Sequence, residues 1–421
     1  MTTPTHPLQI RDYRLIWLAR FINTCATSAM VVVIGAQTYQ LGRTQYHLNE
    51  AQASFLIGLL GLVQFVPFML LTPLAGVLAD RMDRRYLAAA ACAVDLVIAA
   101  VLARANAEGF LTLPLLFALA ASYGAARVFI GPAMSAITPN VVPSELLPKA
   151  IALSSVSWQS AAVIGPALGG FLLARNHALP YQFSAVMLGL GVLALLAIRH
   201  RAPPAAAKEP TRKLMADGAR FVWHERFLLG CVTLDLFAVL LGGATAMLPA
   251  FAYDVLHVGD FGLGVMRGAP ALGAVVVAAW LGFRPIKREV GAKMLWAVAV
   301  FGLATLIFGL STHYWLSLAM LALLGAADAI SVFIRNTLVQ INTPDDKRGR
   351  VSSISGLAIS ASNELGEMQS GLAAALLGPV GAVALGGVGA IVVTGLWAWL
   401  FPELGRAKTF APQYRQKEDV S

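Results

Sequence analysis

The feature that most constrains this chain is a succession of apolar stretches, each about 20 residues or more. They run at 14–40, 51–79, 86–106, 112–138, 149–174, 180–199, 227–253, 262–283, 292–311, 314–341, 351–377 and 380–401. A helix of that length crosses the hydrocarbon core of a bilayer, where every backbone polar group must be satisfied within the protein. Composition agrees. Apolar residues make up 58% of the chain, charged residues 13%, and mean hydropathy is +0.71, whereas a soluble domain carries about 25% charged residues. The 38 glycines and 21 prolines suit helices that approach closely and line cavities within a membrane. The chain reads as an all-α membrane protein of twelve transmembrane helices.

The formal net charge of +9 does not form one basic patch, so nucleic acid is not an expected partner. Lysine and arginine recur instead at alternate loops. With the N-terminus inside, 24 of the 31 fall on cytoplasmic segments, three on external ends (Arg43, Arg104 and Arg175) and four within spans. Positive charge is retained on the cytoplasmic side, so both termini are expected there, and Met1 to Pro7 carries no signal-peptide core. Cys25, Cys92 and Cys231 each lie within an apolar span without disulfide or metal spacing and read as packing residues.

The interval from Arg199 to Arg226, with Pro203-Pro204 and seven basic residues, is the longest polar stretch. The expected organisation is a six-helix half over 1–199, a cytoplasmic linker over 200–226, a second six-helix half over 227–402 and a cytoplasmic tail over 403–421. Internal repetition supports two pseudo-symmetric halves: Thr138-Pro139-Asn140 precedes the fifth span and Thr343-Pro344-Asp345 the eleventh, with Gly165 and Gly170 falling on Gly366 and Gly371.

Between the second and third spans stands Gly76-Val77-Leu78-Ala79-Asp80-Arg81-Met82-Asp83-Arg84-Arg85. It resembles the loop between helices 2 and 3 of the major facilitator superfamily, departing from it at Asp83, where many members have glycine. Tyr13 to Phe21, Arg127 to Ala133, Gly165-Pro166-Ala167-Leu168-Gly169-Gly170, Arg335 to Gln340, Arg348-Gly349-Arg350-Val351 and Asn363-Glu364-Leu365-Gly366-Glu367 extend the resemblance over nearly the whole chain. The pattern is similar to the branch that holds the enterobactin exporter and the macrolide efflux proteins. The resemblance implies the major facilitator fold, a bacterial cell inner membrane, and export of a small amphipathic molecule by an antiporter.

Candidate functional residues follow. Asp80 ends the second helix where the family fold brings the start of the eleventh. A carboxylate at a helix N-terminus gains about 0.3–1 kcal/mol when exposed and up to about 2 when partly buried, enough to bias a two-state gate. Gly76, Arg81, Arg84 and Arg85 belong to the same gate, with topology anchoring the competing role for the arginines. Gly165, Pro166, Gly169 and Gly170 suit a close helix interface that must shut on the other side of the cavity.

Within the spans, each charge is expensive and belongs beside a cavity or a partner. Arg127 and Asp328 lie near mid-depth, Arg335 lies two turns toward the cytoplasm on the same face as Asp328, and Glu364 and Glu367 sit one turn apart on a common face. Two carboxyls so close in low dielectric resist ionising together, so Glu367, coupled to Glu364, is the expected proton carrier and Asp328 the next. Arg127, Asp235, Tyr123, Phe237 and Arg335 are expected around a substrate cavity. Static ion pairs, Asp328 with Arg335 or Asp95 with Arg127, compete with these roles.

No phosphate loop, paired-histidine metal motif or nucleophile with its base is visible. No enzymatic activity, cofactor or metal is expected. The partners are a small-molecule substrate (a siderophore or drug-like natural product), protons with sodium as the alternative, and the lipid bilayer, for a chain acting as a monomer. An importer or lipid flippase of the same fold, and a non-transporting membrane receptor, are the alternatives.

Overall fold

The computed structural model describes residues 6–199, 211–344 and 347–412, and their secondary structure is entirely helical. The helices are α1 (Arg11–Thr44), α2 (Glu50–Arg81), α3 (Arg84–Glu108), α4 (Leu113–Val141), α5 (Leu147–Leu173), α6 (Leu179–Leu196), α7 (Thr211–His224), α8 (Arg226–Leu241), α9 (Leu248–Ala250), α10 (Gly259–Phe283), α11 (Val290–Leu310), α12 (Tyr314–Asn342), α13 (Arg348–Leu400) and α14 (Pro402–Arg406). Among the described residues, eleven helical stretches are long and apolar enough to cross a membrane.

One of these, from Arg350 to Leu400, has 51 residues. Straight, it would measure about 75 Å, more than twice the roughly 30 Å of a bilayer core. It is not straight. Gly378 has φ 73° and ψ 167°, a region essentially reserved for glycine, and Pro379 follows. The break falls between the last two spans read from the sequence.

A second departure from a single helix lies in the span read as 227–253. There α8 ends at Leu241, a 3-10 turn covers Ala244–Met247, and a π turn covers Phe251–Val255. Gly242-Gly243 makes the break. A Cβ on Gly243 would come to 2.5 Å from the Ser370 hydroxyl and 2.8 Å from the Gly366 carbonyl of α13.

The interval read as a linker contains a helix, α7. Its residues 211–215 have no described side chains, and residues 200–210 lie outside the described residues. Val222 is buried and Phe221 packs against the same apolar cluster, whereas Trp223 is exposed. Lys347 sits 4.4 Å above the Phe221 ring, and Asp217 lies 3.9 Å from Arg350. Amphipathic spacing gives α7 one face for α13.

The chain divides into two compact units. One comprises residues 1–48, 60–208 and 258–268, the other residues 49–59, 209–257 and 269–421. In the first, α1 packs on α5 and α6, and α3 on α4 and α6. Polar side chains fasten these apolar faces: the Tyr13 hydroxyl donates to the Ala150 carbonyl at 2.7 Å and the Trp17 indole to Leu153 at 2.9 Å. Further along α1, Gln37 donates to Asn106 of α3 at 2.6 Å and accepts from Tyr181 of α6 at 2.8 Å. In the second unit α13 packs on α7, α8 and α11, and α12 on α11 and α8. Here the apolar cluster around Phe227, Cys231, Met294, Ile334, Leu338 and Trp397 forms the core.

Candidate functional site

In the second unit the chemistry gathers between α8 and α12. Asp235 and Arg335 form an ion pair through Oδ1 and Nη1, with both residues buried. Asp328, two turns earlier on α12, is within electrostatic range of both. Val232, Asn336, Val339, Ser355 and Ile359 complete the wall of a small pocket at the pair. A buried carboxylate and guanidinium need one another, because removing either leaves a charge without its partner in low dielectric. Of the two static pairs considered from the sequence, Arg335 finds its direct partner in Asp235, and Asp328 stands as the third charge of the group.

Phe237 does not join this group. Two residues beyond Asp235, it lies a little over half a turn around α8, 5.2 Å from the Trp397 ring. Glu364 is buried and Glu367 half-buried on α13. The same stretch is held against α8: a Cβ on Gly366 would reach 2.9 Å from the Val239 carbonyl, and Ser370 donates to the Gly243 carbonyl at 3.2 Å.

In the first unit Arg127 lies with its guanidinium carbon 4.9 Å from the Phe68 ring centre and 5.9 Å from that of Tyr123. Such a cation gains about 0.5–2 kcal/mol from an aromatic face. Gly124, beside Tyr123, brings α2 and α4 together: a Cβ there would lie 2.2 Å from the Gln64 carbonyl oxygen. Asp95 on α3 lies within electrostatic range of Arg127.

The four residues of the fifth-span motif face two neighbours. A Cβ on Gly165 would come to 2.6 Å from the Cys25 carbonyl, and one on Gly169 to 2.8 Å from that of Ala29, both on α1. Gly170 instead meets Gly264 of α10, where a Cβ would lie 2.3 Å from the partner Cα, and Pro166 is buried beside the same contact. In the other unit Gly58 of α2 and Gly371 of α13 make an equivalent approach, at 2.7 Å from Cβ to Cα. The sequence reading did not single out that pair. Repetition had placed Gly371 opposite Gly170, but Gly58 is one of three glycines in its span and nothing marked it as the partner.

At the α2–α3 turn, the side chains of Asp80 and Arg81, and Gly76, lie outside the described residues. Asp83 caps α3, accepting from the Arg85 backbone at 3.0 Å and from the Arg85 guanidinium at 2.6 Å. Arg85 also donates through Nη1 to the Ile198 carbonyl at the end of α6 and is buried, whereas Arg84 is half-exposed. An aspartate just before an apolar helical run is an N-cap signal, so the residue read as a departure from the family pattern has a local structural task.

This fold is that of a known transporter family. The Major Facilitator Superfamily model matches residues 16–367, and the chain belongs to that superfamily, as a multi-pass membrane transporter. Among curated relatives, the enterobactin exporter EntS of Citrobacter koseri is 29% identical over 386 residues, 90% of this chain and 86% of the relative. That of Escherichia coli O1:K1 is 28% identical with the same coverage. Among solved structures, the POT family transporter PepTSo matches with a TM-score of 0.74 at 12% identity, over 96% of this chain and 99% of that one. A bacterial homolog of the human lysosomal transporter Spinster, inward-facing and occupied, matches at 0.68 with 16% identity, over 99% and 100%. At these identities the structural likeness is one of fold.

Proposed function

We propose that this transporter exports a small amphipathic molecule, a siderophore or a chemically similar natural product, across a bacterial cytoplasmic membrane in exchange for protons. The observation that carries the reading is the likeness to the enterobactin exporters, collinear over 90% of the chain. Twelve helices in two six-helix halves, residues 1–199 and 227–402 with both termini cytoplasmic, provide the rocking frame. The charges within membrane-length helices favour a gradient-driven carrier, since such groups mark substrate and ion pathways. In this reading Arg127, Tyr123, Asp235 and Arg335 face substrate, and Phe237 supports the wall from α8. Glu367, with Glu364 and then Asp328, carries the proton. Gly76, Asp80, Arg81, Arg84 and Arg85 serve the cytoplasmic gate, and Gly165, Pro166, Gly169 and Gly170 the outer one.

Purified protein in proteoliposomes tests this directly. Enterobactin should move against its gradient when a pH gradient is imposed, and a protonophore should abolish that movement. Glu367→Gln should lose pH-driven movement by at least about tenfold, as expected for removal of an acid-base group, while keeping passive exchange. Movement that follows sodium and ignores the pH gradient would overturn proton coupling. Unchanged pH-driven transport in Glu367→Gln and Glu364→Gln would pass the role to Asp328.

A further inference from the structure

Asp95 lies inside α3 with 0% exposure, and neither of its carboxylate oxygens has a hydrogen-bond partner among the described residues. Most buried polar groups are hydrogen-bonded, and buried charges are paired. Asp95 has neither arrangement.

Among the described residues its surroundings are sparse in charge. From α4 it faces Arg127, whose guanidinium rests on Phe68 and Tyr123. Its own helix offers Cys92 one turn earlier, with the thiol directed to the Leu188 carbonyl at 3.6 Å. Within α6 the ionisable side chain is Tyr181, already bonded to Gln37. On α1 the charged residues are Arg11, Asp12, Arg14 and Arg43 towards its ends and Arg20 further in, whose electrostatic neighbour is Tyr13. An ionised carboxylate here lacks the donors that make burial tolerable, whereas the neutral acid forfeits only hydrogen bonds.

We propose that Asp95 is a proton-exchanging residue of the first unit, holding a proton on one carboxylate oxygen in this conformation, with Arg127 as its counter-charge once that proton leaves. The step breaks the O–H bond, sends the proton to water that reaches the centre in another conformation, and leaves a carboxylate. The Arg127 guanidinium then moves from the rings towards Asp95. Reprotonation forms the O–H bond again and returns the guanidinium to Phe68 and Tyr123. Because Asp95 is sealed from solvent here, exchange requires a change of access, which is the condition for coupling proton movement to transport. The coupling role rests on the antiport reading above; the protonation itself does not.

Infrared difference spectroscopy on purified protein, with Asp95→Asn as the reference, reads the proton without reference to substrate. The wild type should give the C=O stretch of a protonated carboxylic acid at neutral pH, and Asp95→Asn should lack it. Absence of an acid band assignable to Asp95 would overturn the proposal. In proteoliposomes, Asp95→Asn should lose pH-driven enterobactin movement by at least about tenfold yet keep passive counterflow, and undiminished pH-driven movement would overturn the coupling role. A wild type that moves no enterobactin would strike the proposed substrate alone, because the infrared band decides Asp95 separately. The folded state of Asp95→Asn is checked by its elution as a single monodisperse species, and Asp95→Glu, which restores a carboxyl, should recover the acid band if the variant protein is intact.

Discussion

Arg335 and Arg127 are each an arginine inside a membrane-length helix, and their surroundings treat them differently. In the second unit, Arg335 is held by Asp235 in a buried ion pair, with Asp328 close by. In the first, Arg127 rests over Phe68 and Tyr123, while Asp95 lies within its electrostatic range and has no hydrogen bond to either oxygen among the described residues. A direct pair is a fixed charge arrangement: neither member changes its protonation without losing the other. A separated pair can exist with the acid neutral and the cation seated on rings, so it has two accessible charge states. The contrast assigns rigidity to the Asp235–Arg335 pair and exchange to Asp95 beside Arg127.

The largest expected difference between the two is in stability. Asp235→Asn leaves Arg335 charged and buried, and should cost about 3–5 kcal/mol. Asp95→Asn replaces a neutral acid by a neutral amide of the same shape and should change stability by less than about 1 kcal/mol. Chemical unfolding of both variants in the same detergent decides this, and equal losses would erase the distinction.

A smaller effect is expected from packing. Gly124→Ala places a Cβ 2.2 Å from the Gln64 carbonyl and should force α2 from α4, at about 1–3 kcal/mol. Gly366→Ala, whose nearest approach is 2.9 Å, should cost less. The Gly124 variant should also shift Phe68 away from Arg127, which cross-linking of paired cysteines at positions 68 and 127 would register as slower bond formation. Should the two alanine variants rank in reverse, the α2–α4 contact is more yielding than its geometry implies.

Phe68→Leu is a milder change than Gly124→Ala. It removes one aromatic face and should cost about 0.5–2 kcal/mol. Repeating it in the Asp95→Asn background sharpens the comparison: an unchanged cost means the ring acts on Arg127 alone, and a changed one reports coupling through the guanidinium.

Much of this molecule was legible in its sequence because membrane helices are constrained by length and polarity more than by detailed packing. The apolar run at 51–79 became α2 at Glu50–Arg81, and that at 86–106 became α3 at Arg84–Glu108. Where the reading stopped short, the missing information was local backbone geometry. Gly242-Gly243 was a visible breaker inside 227–253, but its use depends on Ser370 and Gly366 of a distant helix. The helix at Thr211–His224 was hidden by basic composition, since its apolar side, with Val222 buried and Phe221 packed beside it, has meaning only against α13.

For the candidate site, the sequence by itself determined that Asp95, Arg127, Asp235, Asp328, Arg335, Glu364 and Glu367 lie inside apolar spans, because a charge at that position is visible wherever the helix packs. It also determined the family pattern, carried by glycines, prolines and basic turns in a fixed order. Only the tertiary structure decided which charges meet. Asp235 and Arg335 are a hundred residues apart and share no motif, while Asp328 and Arg335, on one helix face, looked like the natural pair. Helix periodicity fixes the face a residue occupies on its own helix, but the neighbour across that face is set by how helices pack. That packing gave Arg335 a carboxylate, gave Arg127 two rings, and left Asp95 sealed without a hydrogen-bond partner among the described residues.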